Sequence, residues 1–433
     1  MYSIRQKMQE SRVFKGYWFL PNDPDKKIAG ILSFVPFETL KLELIGGFDT
    51  PQDYLMNVES EEVDYDDIIW GIDEDAKRIT LVNCAKYGKL NLSSEFPMIN
   101  YTIDYAIIGV HINSWEEKAF FKLEAKLPLF TKWINKRRVS FSTQYSNSDN
   151  RRLGFDIKFR TDDHENTVLK IKDNFTIAFK HNCYIPENQL FKREIEEHYT
   201  LEIQSEVNVD FWTFILAARK FAKFLTLACR SEIGFDELQL SCKNYYQEYR
   251  NGRMFYNPIQ LLYIQERPTV LPETKKAKDF LIDYQSIKQD FPEIINNWYG
   301  FDRNMSPILQ HLIESINNNP VFRSVDFLVI CQALEGFHTR FKNHSKISLK
   351  DRLQELVTEF SYVNEIKDIP ICITVNSRHY YSHLYLEDDR EIYKGHELYQ
   401  LTITLRKLLI CCLFKFIGLS DEKITEVMSK NFD

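Results

Sequence analysis

The segment Glu266–Lys278, ERPTVLPETKKAK, marks the point at which the residue pattern of the chain changes. It contains Pro268 and Pro272, which are disfavoured inside helices and central strands. Short apolar runs typical of β-strands precede it, and apolar residues at helical spacing follow it. The segment therefore predicts a linker between a β-rich domain and a helical domain.

Residues 1–267 are predicted to form the β-rich domain. Runs such as 39–44 are short and β-compatible, and turn residues separate them. Many strands with few helices indicate a sandwich or an open barrel. The pattern predicts one long helix over 209–230, capped by Asp210, and a short helix over 123–134.

Residues 279–433 are predicted to form an all-α domain, which makes the chain an α+β protein. Apolar residues recur at helical spacing throughout this part, and the connections are short, as in an antiparallel bundle. The predicted helices cover residues 280–288, 291–299, 306–317, 321–341, 348–362, 376–386 and 398–416.

Charge restricts the kinds of partner that the chain can have. The formal net charge is −7 over 433 residues, and residues 321–433 carry 15 basic and 16 acidic side chains. A protein that coats nucleic acid through general positive charge is therefore excluded. Any RNA would be bound at a local site, including one created by assembly of several copies.

Targeting and metal signals are missing from the sequence. The first residues form no apolar signal core, and no apolar run is long enough to cross a bilayer, so we expect a cytoplasmic protein without a membrane anchor. The eight cysteines form no Cys-x-x-Cys pair, which argues against a zinc ribbon and, in a reducing compartment, against disulfides. We expect neither a metal nor another cofactor.

The stretch with the clearest chemistry is NSRHYYSH, Asn376–His383. Its histidine, His383, can transfer protons near neutral pH, and Arg378 can hold a phosphate oxygen with a permanent charge. Asn376 or Ser377 is predicted to cap a helix that begins here, so that Arg378 would lie in the first turn, where free N–H groups favour an anion. The spacing alone also occurs by chance, in which case both residues belong to an ordinary helix surface.

Glu335 is a candidate partner for this pair. It lies in the middle of a predicted helix among apolar residues, and a partly buried carboxylate needs a neutralising neighbour. Arg378 can supply that charge. The alternative is a surface glutamate that pairs with Arg340 or with nothing.

A helical bundle with Arg-x4-His after an Ala-Leu-Glu helix resembles the HEPN superfamily, specifically its ApeA-like branch. Asn, Asp or His often follows the arginine in that superfamily, and His379 does so here. The residues before the linker are similar to the ApeA N-terminal domain. Four stretches carry this similarity: GYWFLP (16–21), GIL (30–32), LELIG (42–46) and ITLVNC (79–84).

The resemblance implies a metal-independent endoribonuclease of prokaryotic antiphage defence that acts by abortive infection, with tRNA as the expected target. HEPN nucleases usually act as dimers in which two motifs meet, so a homodimer or larger homo-oligomer is expected, with a phage-derived trigger. His383 would act as general base or acid, and Arg378 would stabilise the phosphorane. Glu335 would orient Arg378.

The other residues of the motif have open roles. His379 is either an auxiliary donor or faces the partner chain, because one helical residue turns it by about 100° from Arg378. Tyr380 and Tyr381 either stack on bases or pack at the dimer interface.

Two further interpretations of the whole chain are open. The helical domain is then a binding module that does not cleave, with the β domain sensing a phage product, or the protein is a toxin held by a separate antitoxin.

Overall fold

The computed structural model describes residues 8–48, 65–87, 98–136, 139–146, 151–159, 168–171, 174–184, 196–249, 252, 254–267, 276–301, 304–317, 323–383 and 390–429. Contacts divide the chain into two units. The first contains Met1–Phe130, Arg137–Phe221 and Gly234–Arg267, and the second contains Thr131–Lys136, Ala222–Ile233 and Pro268–Asp433.

The first unit is built from antiparallel strands. In chain order they are Arg12–Leu20 (β1), Asp23–Val35 (β2), Thr39–Ile45 (β3), Tyr65–Asp73 (β4), Arg78–Tyr87 (β5), Met98–Ile108 (β6), Phe120–Lys126 (β7), Val139–Tyr145 (β8), Arg152–Phe159 (β9), Val168–Ile171 (β10), Phe175–Tyr184 (β11), Glu196–Val209 (β12), Glu237–Cys242 (β13), Tyr246–Glu248 (β14), Met254–Tyr256 (β15) and Ile259–Tyr263 (β16). Strands β8 and β9 form one separate hairpin, and β14 and β15 form another.

Six strands close into a barrel in the order β6-β3-β2-β1-β4-β5, because β5 pairs with β6. Side chains alternate along these strands, so that Leu40, Leu42 and Leu44 of β3 are all buried. Trp18 is also fully buried, and a Cβ on Gly71 would lie 2.4 Å from its ring. Glycine at this position therefore makes room for the indole.

The sheet continues beyond the barrel through β16, β13, β7, β12, β11 and β10. Strand β6 belongs to both parts, because its first half pairs with β3 and its second half pairs with β16. An aromatic cluster packs on this extension: Phe130, Phe179 and Phe221 lie with ring centroids 5.1 to 5.8 Å apart. The long helix of this region is thereby anchored on the sheet.

The helices are Phe130–Ile134 (α1), Phe211–Cys229 (α2), Tyr284–Ile287 (α3), Phe291–Tyr299 (α4), Ser306–Asn317 (α5), Ser324–Phe341 (α6), Leu349–Glu359 (α7), Asn364–Lys367 (α8), Ile371–His383 (α9), Gly395–Phe416 (α10) and Asp421–Met428 (α11). The predicted Asp210 cap is confirmed, and Ser348 caps α7 in the same way. The Asp210 carboxylate accepts a hydrogen bond from the Thr213 N–H at 2.7 Å, and Ser348 accepts one from the Asp351 N–H at 3.2 Å.

Helix α10 is the central helix of the second unit. Its residues Leu408–Phe414 are buried on all sides, as expected for a helix that other helices surround. At its end, Phe416 meets Phe337 and Phe341 of α6, with ring centroids 6.2 and 5.0 Å apart. The predicted α+β class, with β-rich residues first and a helical bundle second, is confirmed.

Two predicted helices are wrong in part. Residues 123–134 are not one helix, because β7 occupies Phe120–Lys126. Leu129 has a φ of 61°, in the left-handed region, so a helix can begin only after it, where α1 starts. Residues 280–288 contain only the short α3. The reason is that the Leu281 N–H donates to the Ala228 carbonyl at 2.8 Å, so this stretch bonds to the end of α2 and not to itself.

Candidate active site on helix α9

Helix α9 begins at Ile371, directly after Pro370. The Pro370 carbonyl oxygen accepts hydrogen bonds from the Thr374 N–H at 2.9 Å and from its hydroxyl at 3.0 Å. The predicted start at Asn376 is therefore wrong, and neither Asn376 nor Ser377 is a cap. Proline favours helix starts, so the apolar run after it forms the first turn. The predicted end at residues 384–386 lies outside the described residues.

This start changes the surroundings of Arg378. It lies about two turns into the helix, so the free N–H groups of the first turn do not assist it in holding an anion. Its charge partner is Glu335 of α6, with 3.6 Å between Nη2 and Oε2. The predicted pairing is thus present, and Arg340 instead donates to the Asn304 carbonyl.

His379 and His383 lie one turn apart on α9. Their ring centroids are 5.9 Å apart and the rings are nearly parallel, at 19°. His379 therefore faces His383 within the same chain. Sequence reasoning did not use this pair, although its spacing of four residues indicates it, because residues i and i+4 are neighbours on a helix.

The charges around His379 favour its neutral form. Burial lowers the pKa of His379, and the positive charges of Arg378, His383 and Arg390 lower it further. A neutral imidazole can accept a proton. The helix thus brings together a fixed cation and two imidazoles, one of which is biased toward the neutral state.

Three side chains of α9 hold residues 391–393 in place. The Asn376 amide donates to the Glu391 carbonyl at 3.2 Å, and the Tyr393 N–H donates to the Ser377 hydroxyl at 2.9 Å. The Tyr381 hydroxyl donates to the Tyr393 carbonyl at 3.2 Å. We call this set of three bonds the α9 clasp. Sequence reasoning missed it, since nothing in the sequence marks residues 391–393 as partners.

Tyr381 packs within the chain. Its ring centroid lies 6.3 Å from that of Phe327 on α6, in an edge-on arrangement, in addition to its bond in the clasp. The neighbouring residue, Tyr380, also has a partner within the chain: the Lys394 Nζ lies 5.6 Å from the centroid of the Tyr380 ring. The Cys331 thiol, about one turn before Glu335 on α6, is fully buried, and burial raises its pKa to about 12.

A second polar cluster lies one turn further along α6. His338 is fully buried, its Nδ1 accepts from Arg352 at 3.1 Å, and its Nε2 lies 2.6 Å from the Glu355 carboxylate. Because arginine only donates, His338 carries its proton on Nε2 and donates to Glu355. This cluster links α6 to α7. Among the described residues, no three His, Cys, Asp or Glu side chains are grouped to hold a metal ion.

Comparison with protein families identifies two known domains in the chain. A family model described as ApeA N-terminal domain 1 matches residues 13–298, and one described as Apea-like HEPN matches residues 328–423. The chain is an ApeA-like protein, with an ApeA N-terminal domain followed by an Apea-like HEPN domain. No curated protein and no solved structure matches it significantly.

The Apea-like HEPN match contains the whole candidate site. Glu335, Arg378, His379 and His383 all lie between residues 328 and 423. HEPN domains are typically ribonucleases and commonly dimerise and bind RNA, and the pairing with an ApeA N-terminal domain is that of an antiphage protein. Within the residues that the structure describes, no helix is long and apolar enough to span a bilayer.

Proposed function

We propose that this ApeA-like protein is a metal-independent endoribonuclease that cuts tRNA or other host RNA during phage infection. The observation that carries the proposal is the arrangement on α9. Arg378 is held by Glu335, while His379 and His383 lie one turn apart beside it. A fixed cation can stabilise the transition state of RNA transesterification, and adjacent imidazoles can transfer its protons.

The reaction that these residues support begins with attack of a ribose 2′-OH on the adjacent phosphorus. The bond to the 5′-oxygen of the next nucleotide then breaks. The products are a 2′,3′-cyclic phosphate and a 5′-OH. Arg378 stabilises the negative charge that develops on the phosphorane, a contribution typically worth about 10²–10³-fold.

Proton transfer falls to the histidines. One group must take the proton from the 2′-OH, and another must donate a proton to the leaving oxygen. His383 is exposed on α9 and serves as general base or acid, a role worth about 10²–10⁴-fold. His379 is the auxiliary group, because its lowered pKa keeps it neutral and able to accept a proton.

Assembly completes the proposed site. Two copies of α9 in a homodimer would bring together two arginines and four histidines from residues 378, 379 and 383. This gives separate groups for the two proton transfers and a cationic cleft that one near-neutral domain lacks. The β-rich domain then senses a phage-derived trigger or restrains the nuclease. The domain division proposed for these roles is residues 1–267 and 279–433, with the protein in the cytoplasm.

The test is cleavage of total tRNA in the presence of EDTA, followed by identification of the product ends. Wild type is compared with Arg378→Ala and His383→Ala. Arg340→Ala and His344→Ala serve as matched controls, because both residues are exposed, lie in the same unit and belong outside the site. We expect cleavage with cyclic phosphate ends for wild type and controls, and none for the two site variants.

Three other outcomes are informative. Cleavage that survives His383→Ala would overturn the proposed mechanism. A requirement for a divalent cation would overturn the metal-independent assignment. If wild type is inactive both alone and in phage-infected lysate yet binds RNA, the domain is a binding module; activity only in that lysate identifies a nuclease under control.

A further inference from the structure

Residues 390–394 run beside the proposed catalytic helix and are fixed there by the α9 clasp. The three bonds of the clasp involve the side chains of Asn376, Ser377 and Tyr381, which flank Arg378 and His379 in the sequence. Ser377 is fully buried, so its bond to the Tyr393 N–H is protected from water. This segment is therefore held at a set position relative to the candidate site.

Both ends of the clasped segment carry a positive charge. Arg390 precedes the first bonded residue and is exposed, and Lys394 follows the last one and lies beside Tyr380. Glu391, the residue after Arg390, accepts the 3.2 Å hydrogen bond from the Asn376 amide, and Asn376 lies about one turn before His379 on α9. The backbone at Arg390 is therefore held beside the groups that would face the scissile phosphate.

We propose that Arg390 is a substrate-binding residue that holds an RNA phosphate next to the one being cleaved. It lies outside the Arg-x4-His motif and adds a second, permanently charged phosphate contact to Arg378. The α9 clasp positions it, so Asn376, Ser377 and Tyr381 are positioning residues and not catalytic ones. An arginine suits this role because its planar fork binds two phosphate oxygens at once.

The clasp explains why this contact is effective. A freely moving arginine loses side-chain and backbone freedom when it binds a phosphate, and this loss weakens binding. With Glu391 and Tyr393 already bonded to α9, less freedom of the backbone remains to be lost. The inference rests on the proposed function, since it assigns the substrate of the same site as RNA.

The test measures binding separately from cleavage. A fluorescently labelled oligoribonucleotide of mixed sequence, 2′-O-methylated throughout, has no attacking hydroxyl and cannot be cut. Its affinity is measured by anisotropy from about 50 to about 200 mM salt, because the slope of log affinity against log salt counts phosphate contacts. The proteins are wild type, Arg390→Ala, Arg390→Lys, Tyr381→Phe and the control Arg340→Ala.

We expect Arg390→Ala to bind about tenfold more weakly, the usual size for one charge-assisted contact, with a slope reduced by about 0.7. Arg390→Lys keeps the slope and recovers part of the affinity. Tyr381→Phe, which removes one clasp bond but keeps the ring against Phe327, binds about threefold more weakly with the slope retained. Arg340→Ala matches wild type.

The outcomes separate this inference from the nuclease proposal. If Arg390→Ala keeps the wild-type affinity and slope, Arg390 is a solvated surface residue and the inference is wrong, whether or not the enzyme cuts tRNA. If wild type does not bind the probe, the inference is also wrong. If binding depends on Arg390 while no RNA is cut either alone or in phage-infected lysate, the phosphate contact is supported and the nuclease proposal fails.

Discussion

Replacing Glu335 by glutamine removes the charge that holds Arg378 while preserving the size of the side chain. The two charged atoms lie 3.6 Å apart, and the side chains are 38% and 31% exposed. At that distance, the attraction is about 1 kcal/mol in water and about 5 kcal/mol at an effective dielectric constant of 20. The exposure favours the lower value, about 1 kcal/mol.

If this energy serves to orient Arg378 toward the transition state, kcat falls by about fivefold in Glu335→Gln. KM changes little or falls, because the substitution also removes a negative charge that repels phosphate. Arg378→Ala loses more, about 10²–10³-fold, because it removes the stabilising cation itself.

The assay is single-turnover cleavage of labelled tRNA in EDTA by wild type, both single variants and the double variant. We expect Glu335→Gln to have no further effect in the Arg378→Ala background, so that the coupling equals the single effect. The control is Glu359→Gln, which breaks a similarly exposed ion pair with Lys342 in the same unit. Equal losses in both backgrounds would refute the orienting role, and a rise in kcat would show that Glu335 only weakens the arginine.

Three further predictions concern single groups. The His379 imidazole should titrate below the ordinary pKa of about 6.5 in a histidine-selective NMR experiment, and its pKa should rise in Arg378→Ala; a midpoint above 6.5 would contradict this. The lowered pKa means that the folded state binds fewer protons at His379 than the unfolded state. The contribution of His379 to folding stability is therefore present above about pH 6.5 and is lost as the pH falls from there through the lowered pKa of the folded state. The Cys372 thiol is exposed and the Cys331 thiol is fully buried, so iodoacetamide should label Cys372 first in peptide mapping, and equal labelling rates would count against this packing. Phe337→Ala should lower the unfolding free energy by about 3–5 kcal/mol in urea titration, because the ring is 1% exposed and packs against two other phenylalanines; a loss below about 1 kcal/mol would mean that the cluster is not packed as described.

The residue pattern alone predicted the class of the fold and offered Arg378 as the partner of Glu335. Periodicity depends on neighbouring residues, so it separated the β-rich part from the helical part and predicted helices such as α4 with its observed bounds. The physical need of a half-buried carboxylate for a positive charge predicted the pairing of Glu335 with Arg378. Local signals failed at the start of α9, where a polar residue resembled a cap although Pro370 had already begun the helix.

The meeting of distant segments follows from the three-dimensional packing. Closure of the barrel depends on the pairing of β5 with β6, and the α9 clasp depends on the approach of Tyr393 to Ser377, 16 residues away. Such contacts are set by the packing of whole elements and by loop closure, neither of which leaves a periodic pattern in the residues involved. The sequence therefore supplied the candidate residues for the proposed chemistry, whereas folding decided which charges surround them.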